Sequence, residues 1–277
     1  MGRVAAAFNN TGGVRGDMKA VMNAILLDPE ANSANAPTPM KFGKLKEPML
    51  RLSAIFRAFN TASASGRYQL VYGLDDVDSG ISQGPLQSPT VFNFFHPEFS
   101  PPGPVSAGTA LGPEFEITTT TAIASTQNYY GRLVFQNDTS NGNLFNTNLF
   151  APYPFSNGCD TNALTNADPS GSSRQNCLFG DLSDLYALHA DSDGLFDYLN
   201  LVLMGGSLGA ANKATLVTAL NSAYPTTARP VLAGSPPTAT QINTYNSDVS
   251  NWQSRRRDRI RGALWLTVHL PEFQIQR

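Results

Sequence analysis

Gly205-Gly206-Ser207-Leu208-Gly209 is a literal G-x-S-x-G. In that pattern a serine on a sharp strand-to-helix turn exposes its hydroxyl, and the following N–H feeds an oxyanion hole. A nucleophilic serine needs an imidazole to take its proton and a carboxylate to hold the tautomer. Asp248 (or Asp258) and then His269 follow in a workable chain order, so a serine esterase can be written with Ser207, Asp248 and His269. The competing reading is a helix ended by Gly205-Gly206 in a left-handed cap, with the next helix starting after Ser207. Two features favour the cap. Leu195, Phe196, Leu199, Val202 and Leu203 recur with the period of a helix, and the chain lacks the strand–helix alternation that builds a parallel hydrolase sheet.

Other candidates are weaker. The histidines are His96, His189 and His269, each equally readable as a hydrogen-bonded side chain in a partly buried place. Asp181, Asp184, Asp191, Asp193 and Asp197 crowd into "GDLSDLYALHADSDGLFD". Paired carboxylates can perform glycosidic acid–base chemistry, and oxygen clusters can hold calcium. The spacing misses the calcium-loop pattern, so helix capping by Asp184 and Asp193 is expected. Glu114 and Glu116 form a second pair at i, i+2.

Aromatic residues offer binding instead of catalysis. Tyr129, Tyr130, Phe145, Phe150, Tyr153 and Phe155 lie in or beside a long polar stretch rich in Asn and Thr. Such rings, if exposed, can stack on sugars, with a polysaccharide as ligand; alternatively they anchor the stretch to the core. Cys159 and Cys177 in the same stretch are in no CxxC pair and have no histidine close by, which argues against zinc. In an exported protein they read as a disulfide contributing about 3 kcal/mol through the restricted unfolded chain; otherwise they are two buried thiols. No motif calls for a metal or a cofactor.

The elements that would position these groups are helices. Met18, Val21, Met22, Ile25 and Leu26 form one apolar stripe, capped by Asp17 and stopped at Asp28-Pro29. Leu45, Met49, Leu52, Ile55, Phe56 and Phe59 form another, with Pro48 in the first turn. Residues 60–88 read as loop. In "SPTVFNFFHPEF" the Ser88-Pro89 pair predicts the start of a short buried helix, with Val91, Phe92 and Phe95 on one face and a stop at His96-Pro97. Further helices are predicted over 119–133, 193–204, 209–223 and 243–268, and residues 134–180 read as a long loop insertion. The sum is a mainly α protein: one irregular helical domain over 1–277 with long Pro/Gly/Asn-rich loops.

Composition narrows the function classes. Charged residues make up 14% of the chain, well below the usual quarter or so, and Asn, Ser, Thr, Gly and Pro replace them, a profile typical of secreted proteins. A net charge of −2 gives no attraction for phosphate backbones, so nucleic acid is a poor partner. The one basic run, Arg255-Arg256-Arg257 with Arg259 and Arg261, reads as the solvated face of the last helix. No apolar stretch reaches the length of about 18 residues that a membrane span needs.

"GVRGDMKAVMNAILLDPEA", "GKLKEPMLRLSAIFRAF", "PLQSPTVFNFFHPEFSPPG", "PEFEITT" and the terminal "LPEFQIQR" resemble, in that order, the blocks of a bacterial family catalogued as domain of unknown function 1800. The resemblance implies an exported protein, secreted or held at the cell surface or in the periplasm, and a chain equivalent to the C-terminal half of longer members. On that view "MGRVAAAFNN" starts inside a helix already under way, and the absent half leaves apolar helix faces for self-association. It implies no catalytic residues, and the segment holding Cys159 and Cys177 is longer than is usual in the family. The expectation drawn from residues and resemblance together is a surface or extracellular-polymer binding component, with a hydrolase as the alternative.

Overall fold

The computed structural model describes residues 2–9, 12–28, 43–63, 74, 76–78, 80–103, 111–135 and 178–276. The fold is mainly α, as the periodicity predicts. Where the sequence reads as one domain, the chain forms two compact units, one over residues 1–45 and 275–277 and one over 46–274. The 134–180 insertion lies outside the described residues except at its two ends, and so do Cys159, Cys177, Tyr153 and Phe155.

In the smaller unit, helices α1 (Gly2–Asn9) and α2 (Met18–Leu26) pack on each other. Asp17 caps α2 as expected, its carboxylate accepting from the N–H groups of Lys19 and Ala20. Arg3 donates two hydrogen bonds to Asp28 and ties the two helices together. The apolar stripe of α2 is less buried than its period predicts: Val21 is buried, while Met18, Met22, Ile25 and Leu26 are exposed. A short antiparallel pair, β1 (Lys44–Leu45) with β4 (Ile275–Gln276), completes this unit.

The larger unit holds the core. Its helices are α3 (Pro48–Ala58), α4 (Thr120–Phe135), α5 (Ser183–Ala187), α6 (Ser192–Met204), α7 (Ala210–Ala223), α8 (Ala239–Val268) and α9 (Pro271–Gln274). Strands β2 (Ala62–Ser63) and β3 (Leu178–Phe179) pair antiparallel. Leu52 and Ile55 of α3, Leu133 of α4, Leu195, Phe196 and Leu199 of α6, Leu220 of α7 and Ile260 and Leu264 of α8 are all buried in one cluster. These are the positions that the 3.6-residue period singles out.

Buried polar chemistry fixes how α5 to α8 meet. Arg259 on α8, expected on a solvated face, is 2% exposed. Its guanidinium donates to His189 O at 2.7 Å, Asn221 Oδ1 at 2.7 Å, Tyr224 O and Ser192 Oγ. Every acceptor is neutral, so the cation is solvated by protein dipoles instead of water. Arg261 is buried as well. The solvated-face expectation fails because α8 is enclosed on all sides from Arg259 to Leu264, so that even positions on opposite sides of the helix are buried. One turn from Arg259, Gly262 lets α8 approach Tyr224: a Cβ there would sit 2.4 Å from the ring. The N-terminus of α8 begins four residues before the predicted start, at a capping box in which Thr238 and Gln241 bond each other's backbone N–H.

The stretch around residues 89–95 corrects the sequence expectation. It is not a buried helix. Thr90 and Asn93 close a tight turn in which Asn93 N–H donates to Thr90 O at 3.1 Å and Asn93 takes φ +72°. Phe92 N–H donates to Thr90 Oγ1, and that hydroxyl donates to Asn93 O. A threonine and an asparagine that satisfy the backbone locally outcompete the helix, and Val91 and Phe92 are left 94% and 54% exposed.

Replacing Arg259 by Met strands several buried acceptors at a cost of about 1–3 kcal/mol for each one left without a partner. Arg259→Met is therefore expected to lose about 3 kcal/mol or more of unfolding free energy, seen as a lower urea midpoint at unchanged m-value. An unchanged midpoint contradicts the bridging role. Gly262→Ala, which drives a methyl into the Tyr224 ring, is expected to destabilise by about 1–3 kcal/mol in the same assay.

Candidate functional site

The Gly205–Gly209 segment joins two helices, not a strand to a helix. Gly205 (φ +60°) and Gly206 (φ +83°) end α6 in the left-handed region, and both N–H groups donate to Asn200 O. Asn200 Oδ1 accepts from Leu208 N–H at 2.9 Å and fixes the start of α7. Ser207 N–H donates to Met204 O. His269 lies beyond the end of α8, where its Nδ1–H donates to Trp265 O at 2.7 Å. That bond leaves Nε2 as the basic nitrogen, and Nε2 is enclosed without a partner among Tyr130 and Trp265 rings. Asp248 is on the exposed part of α8. Among the described residues no hydrogen bond joins Ser207, Asp248 and His269, so the proton relay of a serine esterase is not assembled. The glycine cap, the other reading of the motif, is what these residues build.

The carboxylates of 181–197 also go to structural work, although not in the expected positions. Asp191, not Asp193, caps α6 by accepting from Gly194 N–H at 3.0 Å. Asp181, not Asp184, accepts from Ser183 N–H at the start of α5, which holds its carboxyl below the usual carboxylate range. Asp184 accepts from the Tyr198 hydroxyl at 3.0 Å. Asp193 and Asp197 face Lys213 across α6 and α7, at 3.4 and 2.7 Å. These carboxylates are engaged in a cap, a turn, a tyrosine hydroxyl and an ion pair with Lys213.

Tyr129 and Tyr130 do not present rings to solvent. Both are buried, at 1% and 2% exposure, edge to face with centroids 6.3 Å apart. Burial raises the Tyr130 phenol to about 12. Successive positions on α4 reach the core because its stripe is wide at this point, with Ala122, Thr126, Leu133 and Val134 also buried. Among the described residues an exposed aromatic surface is found elsewhere.

It lies on the loop pair that carries the Thr90–Asn93 turn and the 3₁₀ turn Pro113–Phe115. Glu116, following that turn, reaches back to His96: its carboxylate accepts from the His96 backbone N–H at 2.6 Å and from Nδ1–H at 2.9 Å. The backbone bond first, and the ring bond second, pull the Glu116 carboxyl below its ordinary value. With Nδ1 committed, Nε2 is the free edge of a half-exposed imidazole. The exposed Phe92 ring is 5.9 Å from the imidazole, and Phe115, beside Glu116, is exposed too. Gly112 N–H donates to Phe99 O and joins the two loops. The result is a pinned patch of apolar ring, imidazole and carboxylate. Sequence reasoning did not pair His96 with Glu116; the two segments, "HPEF" and "PEFE", are each bounded by proline but carry no local signal of meeting.

Residues 1–275 match a family model described as "Protein of unknown function (DUF1800)". No curated protein and no solved structure matches the chain.

Because Glu116 has a depressed pKa in the folded chain, the order it supplies is complete above the ordinary carboxylate range and is lost as pH falls through its folded value. Hydrogen exchange at the His96 amide is thus expected to be slow at pH 6, and to become fast at pH 6 in Glu116→Gln relative to wild type. Equal protection in the two proteins rules out the pinning role.

Proposed function

The chain belongs to the DUF1800 family, and from that premise we propose that it is an extracytoplasmic binding component that engages a polysaccharide through the Phe92–His96–Glu116 patch. One observation carries this reading: a ring half open to solvent on a turn whose backbone is fixed by Thr90, with an imidazole held beside it by a carboxylate. A flat apolar ring stacks on the apolar face of a sugar, and the free imidazole nitrogen and the carboxylate accept hydrogen bonds from its hydroxyls. A fixed turn loses little conformational entropy when it binds. The secreted type of composition, with 14% charged residues, supports the extracytoplasmic part. Patches of this kind bind without covalent chemistry, and for that reason binding stands ahead of ester hydrolysis by Ser207.

Affinity electrophoresis through gels cast with a panel of soluble neutral polysaccharides is the direct test. Retardation by at least one of them is expected, with about a tenfold weaker interaction in Phe92→Ala, corresponding to roughly 1.4 kcal/mol of stacking. Unretarded migration in every gel, or equal retardation of the variant, defeats the proposal. In parallel, a short-chain nitrophenyl ester is expected to be hydrolysed no faster than in buffer; hydrolysis that disappears in Ser207→Ala would restore the esterase.

A further inference from the structure

We infer that Arg51, Lys46 and Tyr130 form a binding site for an oxyanion group, a sulfate, phosphate or carboxylate, in the interior of the larger unit. Arg51 projects from the first turns of α3 and is 8% exposed. Its Nε is enclosed without an acceptor, and the guanidinium makes no hydrogen bond or ion pair among the described residues. Arg259 shows the contrast within the same unit, with four oxygens around its buried guanidinium.

The second cation sharpens the point. Lys46, half-buried just before α3, sits 5.0 Å over the Phe273 ring, and its backbone N–H is committed to Gln274 O. Burial and the neighbouring Arg51 both push the Lys46 ammonium down. The acidic residue between them in sequence, Glu47, turns its carboxylate to Gln83 Nε2. Tyr130 brings a buried hydroxyl without a partner into the field of Arg51. Two cations that repel, one of them enclosed, are costly to hold away from water unless a negative charge joins them. A water molecule could satisfy the N–H groups but not the charge. The group that satisfies both is an anion with several acceptor oxygens, matched to the planar fork of arginine. The half-exposed Lys46 marks the open side. This site is separate from the Phe92 patch and does not depend on it.

The oxyanion could arrive as a free ion or as the acidic group of a larger molecule. Calorimetric titration of the whole chain with sodium sulfate, phosphate and acetate, and separately with dextran sulfate and a polyuronate, distinguishes these sources at constant ionic strength set by chloride. Saturable heat with a small ion that vanishes in Arg51→Met supports a free-ion site. Heat with a polymer alone, again absent in Arg51→Met, supports a group on a larger molecule. Lys46→Gln, on the accessible side, is expected to fold normally and to weaken binding about tenfold, and Tyr130→Phe to weaken it by less. Absence of saturable heat in every arm, or affinity unchanged in both Arg51→Met and Lys46→Gln, overturns the inference.

Discussion

Arg259 is the constraint around which the larger unit is arranged. A buried guanidinium cannot be left bare, and each of the oxygens that satisfies it comes from a different piece of chain: the α5–α6 turn at His189, the first residue of α6 at Ser192, the last turn of α7 at Asn221 and its exit at Tyr224. Ser192 Oγ also donates to Asn221 Oδ1 at 2.7 Å, so the network closes on itself. Dispersion and burial would let these helices slide against one another; a fixed fork of donors does not. Next to this knot, Arg256 lies over the Trp252 and Tyr186 rings and donates to Tyr186 O. Gly262 removes the side chain that would hold Tyr224 off. Packing and polar specificity therefore act on the same short span of α8.

How far the fold could be read from sequence follows from how local each determinant is. Asp17 and Pro48 are contiguous with the helices they start, and the predicted starts hold. The stripe Leu195, Phe196, Leu199, Leu203 gives α6 almost to the residue. The polar ends read less well. Asp193 and Asp191 are equally good caps by type, and only the backbone placement of Gly194 decides for Asp191. The arginines of 255–261 show the same limit, since a charged side chain on a helix is expected in solvent until the opposite wall is seen to be lined with carbonyls.

The candidate sites were the least legible part. Glu116 and His96 are twenty residues apart with no shared motif, and the bond between them depends on how two proline-bounded loops cross. The G-x-S-x-G pattern misleads for the opposite reason: two glycines serve a left-handed helix cap as readily as a nucleophile elbow, and only the elements on either side tell which. A run of aromatic residues misled in a similar way, because Thr90 and Asn93 bond their own backbone and put Phe92 outside while Tyr129 and Tyr130 go inside.

Helix α8 carries one further implication. From Ala239 to Asn251 none of its side chains is buried, while the stretch from Arg259 to Leu264 lies wholly in the core. Its two ends thus belong to different energetic regimes: one melts only with the whole unit, and the other is held by the Thr238–Gln241 box and by the helix's own ladder. Unwinding can start at the solvated end and travel inward until Trp252, whose indole donates to Thr227 O, acts as a stop, so that half of this rod can come and go without disturbing the interior.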